Sequence, residues 1–264
     1  MKILLTVGHS ILKTGHCTSA DGRPYGGILE YAYNKGIVER VAKYLKGAGH
    51  EAEVLICPEL KFSKNSEEKA YKLNYEHGES YDLVAELHLN ATALHNARGC
   101  EVLYISDEGK EVAQRIQAQL ATVFKDRGIK YCPNLYMLNS TKATAVILET
   151  FFCDNSADCE LAENTDVALL IAQGIHGGEI AAKQDKPSGG FLYRVQTGAF
   201  RKKENADRLM KELIGKGFGA FVTTVDLDGL IYRVQVGAFS LRTNALTMQN
   251  RLKVAGYETI IVQA

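Results

Sequence analysis

Apolar positions in the first two thirds of the chain follow two alternating rhythms. Short, nearly unbroken runs (KILLTVG, EAEVLIC, LVAELHLNA, GCEVLYI and TAVILETFF) read as strands buried on both faces. Longer stretches with helical spacing lie among them: EYAYNKGIVERVAKYLKGAGH, stopped by Gly47 and Gly49, then SEEKAYKLNYEHGE, EGKEVAQRIQAQLATVF and TDVALLIAQGIHGGEIAA. This alternation predicts an α/β domain over residues 1–180, with a mostly parallel sheet and helices on both faces.

At AAKQDKPSGG, residues 181–190, the pattern gives way to a polar linker containing Pro and Gly. Beyond it the chain repeats itself. LYRVQTGAF at 192–200 and IYRVQVGAF at 231–239 agree at seven of nine positions, and each precedes a helix-like segment. With FVTTVDL and TIIVQA as the remaining strands, residues 191–264 predict a small α+β domain of βαββαβ order, a four-stranded antiparallel sheet backed by two helices.

Charge adds a distinction between the two parts. The whole chain balances 31 Lys and Arg against 31 Asp and Glu, which argues against a protein built to coat nucleic acid or an anionic membrane. Residues 191–264 alone hold 11 basic and 6 acidic side chains, a net +5, leaving −5 for residues 1–190. Such asymmetry suits parts that meet different partners. No run approaches the length of a membrane span, so no membrane insertion is expected. The apolar run in MKILLTVGHS is too short for a signal sequence. The expectation is therefore synthesis in the cytoplasm without a signal peptide, and action elsewhere after release. The six cysteines form no Cys-x-x-Cys pair and read as free thiols.

Ligands of open α/β sheets collect beyond the carboxyl ends of the strands. Three predicted strands end there on ionisable residues: His9, His88 and Glu149. Glu30 opens the helix after His9. Two imidazoles and a carboxylate are a common catalytic zinc set, and a further free carboxylate would serve as the base of a metal-assisted hydrolase. Spacing alone leaves two readings of His88: a core histidine satisfied by a backbone carbonyl, or a metal ligand. His95, which follows ELHLNATA, could line the cleft but is not taken as a site residue, while His16, His50, His77 and His176 read as loop or helix-end residues, and Cys153 and Cys159 as buried thiols.

Taken together, TVGHS, Glu30 before its long helix, ELHLNA and AVILETFFCDN resemble the zinc-dependent N-acetylmuramoyl-L-alanine amidase family, Amidase_3, over about residues 1–180. The resemblance implies Zn2+ on His9, Glu30 and His88, with Glu149 as general base and acid. Asn90 and Asn155 match the family's trailing asparagines and are expected near substrate. Glu86 stands where the family usually has Ser, and GHSI replaces the common Gly-His-Gly-Gly. On a strand of period two, Glu86 shares a side with His88, so it either orients that ring or lines the cleft.

Residues 191–264 resemble the SPOR domain, which implies binding to peptidoglycan glycan strands. Period two sets Arg194 and Gln196 opposite Tyr193, Val195 and Thr197, and Arg233 and Gln235 opposite Tyr232, Val234 and Val236. The four polar residues are the candidate glycan contacts. RNA-binding modules share this topology, but their glycine- and aromatic-rich strand motif is absent, so no nucleic-acid partner is expected. The combined expectation is a peptidoglycan hydrolase of the endolysin type that cuts between N-acetylmuramic acid and L-alanine. The alternatives are a bacterial autolysin of the same chemistry, a zinc stem-peptide peptidase, or a non-catalytic peptidoglycan-binding protein.

Overall fold

The computed structural model describes residues 1–180, 192–226, 229–239 and 242–263. The expected linker at 181–190 lies outside the described residues. Contacts divide the chain into two compact units, Met1–Ala182 and Lys183–Ala264.

The first unit is a six-stranded sheet between two layers of helices. Its strands are β1 (Lys2–Val7), β2 (Glu51–Leu55), β3 (Leu83–Asn90), β4 (Cys100–Tyr104), β5 (Asp126–Tyr131) and β6 (Thr144–Phe152), in spatial order β2-β1-β3-β6-β4-β5. Strands β2, β1, β3 and β6 run parallel, whereas β4 pairs antiparallel with β6 and carries β5 parallel to itself. The reversal follows from chain length. Only residues 91–99 join β3 to β4, too few for the crossover that a parallel return needs. Strand β5, DRGIKY, was not expected: it is a polar edge strand with no buried residue and therefore no apolar run to betray it.

Side chains alternate across the sheet. Ile3, Leu5, Val7, Ala85, Leu87 and Leu148 face the layer made by α1 (Glu30–Gly47), α3 (Asp107–Leu120) and α6 (Val167–His176). Leu4, Val84, Ala145 and Ile147 face the opposite side, under α2 (Asn65–His77) and α4 (Tyr136–Asn139). Continuing that second row toward the carboxyl ends, Thr6, Glu86, His88 and Glu149 replace the apolar residues.

Helix α2 covers this row in an unusual way. Its buried residues are Glu68, Lys72 and Glu76, a charged stripe at i, i+4 and i+8. Fully buried Glu76 accepts hydrogen bonds from the backbone N–H groups of Lys142 at 3.0 Å and Ala143 at 2.9 Å, fixing the start of β6. Glu76→Ala strands both donors and is expected to destabilise the protein by about 2–4 kcal/mol, read as a lower urea midpoint. An unchanged midpoint would show that water replaces the carboxylate at no cost.

The second unit has the expected βαββαβ order: β7 (Tyr193–Phe200), α7 (Lys203–Gly215), β8 (Ala220–Asp226), β9 (Leu230–Phe239), α8 (Arg242–Val254) and β10 (Ile260–Gln263). The sheet is antiparallel, ordered β10-β7-β9-β8, so the two repeated strands are its centre. Val195, Val234 and Val236 pack with Leu213, Met248 and Leu252. One expectation needs correction. Gln196 and Gln235 face each other across β7 and β9 and are only 7% and 3% exposed, so they do not stand on an open polar face. Register shifts on both sides of Gln196 interrupt simple alternation there. Arg194 and Arg233 are half-buried and keep part of their surface in water.

Candidate metal centre

The sheet order changes direction at β1, whose neighbours β2 and β3 lie on either side, and such a switch point opens a crevice at the carboxyl ends. His9 comes two residues after β1, in the left-handed region at φ 68°. That conformation is uncommon for a residue with a side chain and marks a constrained position. Gly8 before it has no Cβ because the His88 ring lies where one would be. Glu30 arrives at the first turn of α1, and His88 two residues before the end of β3.

These three side chains meet. Glu30 Oε1 lies 3.0 Å from His88 Nδ1 and 3.3 Å from His9 Nε2, and one ligand atom from each residue falls within 4.8 Å of the others. Ligand atoms arranged tetrahedrally around a zinc ion at about 2.1 Å stand roughly 3.4 Å apart, near the two Glu30–imidazole distances. Buried Glu30 is fixed by two backbone donors, Leu89 N–H to Oε1 at 3.0 Å and Ala20 N–H to Oε2 at 2.9 Å. The ring nitrogens turned away from the centre also have partners. His9 Nδ1 is 3.4 Å from the Thr18 hydroxyl, and His88 Nε2 is 2.7 Å from Glu86 Oε1.

Electrostatics favour a cation between these groups. Burial works to raise the Glu30 pKa, yet His88 and His9 hold it well below the usual carboxylate range. His88 shows the converse: burial lowers its pKa, but the flanking Glu30 and Glu86 carry it up to about 10. Glu149 stands directly beside His88 in the β3–β6 register. Burial pushes its pKa up to about 7 despite the opposing effect of His88, with Glu30, Glu101 and Glu86 adding to the rise. Its Oε2 is buried without a hydrogen-bond partner, a carboxylate oxygen free to take a proton.

The other candidates separate. Glu86 is 2% exposed, so it does not line an open cleft, and its Oε1 faces His88 Nε2. Asn90 donates to Glu101 at 2.7 Å and accepts from Ala91 N–H at 2.9 Å, tying β3 to β4. Asn155 caps α5 (Ser156–Glu163), its oxygen accepting from Ala157 and Asp158 N–H groups. His95 stacks on Tyr25 at 3.4 Å between ring centroids, and its Nδ1 lies 2.9 Å from buried Asp154. Sequence reading missed Thr6, Ser10, Glu68 and Lys72, which lie behind the centre. The spacing of Glu68 and Lys72 by one helical turn was the available signal.

The description N-acetylmuramoyl-L-alanine amidase, Amidase_3, matches residues 3–179, and the SPOR domain matches residues 189–263. N-acetylmuramoyl-L-alanine amidase CwlM of Bacillus licheniformis is 37% identical over 99 residues, 38% of this chain and 39% of its own length. The sporulation-specific N-acetylmuramoyl-L-alanine amidase of Bacillus subtilis (strain 168) is 38% identical over 107 residues, 40% of this chain and 42% of its own. The chain thus spans about two fifths of the length of these curated relatives. Among solved structures, the catalytic domain of the CD27L endolysin targeting Clostridia Difficile is 48% identical with a TM-score of 0.65, covering 68% of this chain and 99% of that one. With the family matched across two thirds of its length and the strand order, helix layers and carboxyl-edge cluster described above, the chain belongs to the Amidase_3 family of N-acetylmuramoyl-L-alanine amidases.

Proposed function

We propose that the protein is a zinc-dependent peptidoglycan hydrolase of the endolysin type, cleaving the amide between N-acetylmuramic acid and the L-alanine of the stem peptide. The carrying observation is the convergence of His9, Glu30 and His88 ligand atoms beside a proton-accepting Glu149. Likeness to an endolysin catalytic domain supports the endolysin reading. In this reading residues 1–180 are catalytic, 181–190 link, and 191–264 bind the wall.

His9 Nε2, Glu30 Oε1 and His88 Nδ1 would hold the zinc. Bound there, zinc lowers the pKa of water and polarises the carbonyl under attack. Glu149 takes the proton from the attacking water and returns it to the departing L-alanine nitrogen. Its raised pKa suits both directions of transfer near neutral pH. Glu30 is kept from that role by the two backbone N–H groups and two imidazoles that surround it. In the second unit, Arg194 and Arg233 are the candidate glycan contacts with accessible surface, and tethering to the wall raises the local concentration of substrate.

Digestion of purified sacculi tests the reading: new free N-terminal L-alanine is expected. A different new amine would mean a stem-peptide peptidase, and no release a binding protein; either outcome sinks the proposal. In the same assay, a chain lacking residues 191–264 should sediment less with sacculi yet turn over small muropeptides normally. If it still sediments fully, the tail is not the wall anchor.

A further inference from the structure

His88 is held from two sides, and the side away from Glu30 leads into buried charge. Glu86 Oε1 faces His88 Nε2 at 2.7 Å, while Glu86 Oε2 accepts the Thr6 hydroxyl at 3.0 Å and lies 3.5 Å from Lys72 Nζ. Lys72 is fully buried. Its ammonium is also 3.8 Å from Glu68 Oε1, and Glu68 Oε2 accepts the Ser10 hydroxyl at 2.9 Å. The cluster therefore reaches both imidazole ligands: His88 directly, and His9 through the adjoining Ser10.

Such a cluster is a poor way to gain stability. Taking an ammonium and carboxylates out of water costs several kcal/mol per ion, and apolar residues of similar size often do as well or better. Its contacts instead point at the metal ligands. A ring nitrogen that binds a metal is oriented by what its other nitrogen meets, and loss of that partner weakens metal binding.

We propose that the buried Glu86–Lys72 pair is a positioning device for His88, Glu86 aiming the ring so that Nδ1 faces Glu30 and Lys72 holding Glu86 in place. The proposal rests on the zinc reading of His9, Glu30 and His88. Helix α2, which contributes no metal ligand, thereby becomes part of the metal centre.

The test is zinc affinity of the full chain, measured by competition with a chromophoric chelator, beside the absorption spectrum of the cobalt-substituted protein. Wild type is expected to bind one zinc. Glu86→Ala should bind it about 10–100-fold more weakly, with an altered cobalt spectrum, and Glu86→Gln, which keeps an oxygen for Nε2–H, should recover most of the loss. The decisive variant is the double change Glu86→Leu with Lys72→Met. Zinc affinity should still fall 10–100-fold, about the loss expected for an outer partner, with the melting temperature of the metal-free protein showing that the variant folds although Glu68 has lost its ammonium partner. It keeps the test open if Glu86→Ala does not fold. Wild-type affinity and spectrum in the double variant, or in Glu86→Ala, overturn the positioning role. A wild type that binds no zinc overturns the underlying zinc reading, a separate failure.

Discussion

Glu149→Gln is expected to lower turnover on peptidoglycan about 10²–10⁴-fold while zinc content stays at the wild-type level. Glutamine fills the same space beside His88 but cannot accept a proton. End-group release and metal analysis on the same preparation check both halves, and a variant retaining most of its turnover removes Glu149 from the base role. A second measurement separates catalysis from packing. In the folded protein the Glu149 pKa rises from 4.5 to about 7, so the folded state holds this proton more tightly than the unfolded chain. Below pH 4.5 both states are protonated and the group contributes nothing to stability. As pH rises to 7, ionising the buried carboxyl becomes a growing penalty, at most about 3 kcal/mol. Metal-free Glu149→Gln should therefore be more stable than metal-free wild type above pH 7, the gap closing as pH falls toward 4.5. A gap of constant size would show that burial of this carboxyl is not its source.

Gly8→Ala is expected to remove zinc binding as thoroughly as His88→Ala, a loss larger than the roughly 10–100-fold that follows from losing an outer partner. The added methyl would share space with the His88 ring, which also contacts Glu30 and Glu86. Either the ring turns out of the centre or the β1–β3 approach opens. The control is Gly36→Ala in α1, where a Cβ meets nothing within 4 Å. There, alanine should stabilise the helix by about 0.5–1 kcal/mol and leave zinc affinity alone. Wild-type zinc affinity in Gly8→Ala would mean that the ring is less confined than its surroundings indicate.

How much was legible in the sequence depended on whether each residue's environment was local. The buried strands announced themselves as apolar runs, and the repeated YRVQ–GAF segments fixed the second unit because a duplicated strand–helix pattern has few ways to close. His9, Glu30, His88 and Glu149 were recognisable because each sits at an element's end. Their convergence was supplied by resemblance, since residues tens of positions apart carry no spacing signal. Helix α2 was legible as a helix, but its inward face was not. Its buried face is Glu68, Lys72 and Glu76, so a reading that puts apolar residues inwards turns it the wrong way. The partners that make those charges tolerable, Ser10, Glu86 and the backbone at Lys142 and Ala143, come from three other parts of the chain. Gln196 and Gln235 failed for a related reason: alternation assigns a side of the sheet, but neighbours decide whether that side is wet.

The sheet order also separates the centre in time. His9, Glu30 and His88 all belong to the first ninety residues, whereas Glu149 lies on β6, which inserts between β3 and β4 although both precede it in the chain. A nascent chain emerging from the ribosome therefore exposes the three proposed metal ligands well before the proposed base. Strand β3 meanwhile lacks the neighbour that will cover its edge. Pairing across such sequence distances is slow compared with helix formation, so closure of the middle of the sheet comes late. In the proposed mechanism, competence to hydrolyse is thereby tied to the last strand of the sheet, and a chain interrupted before residue 144 would have the proposed metal ligands but not the proposed base.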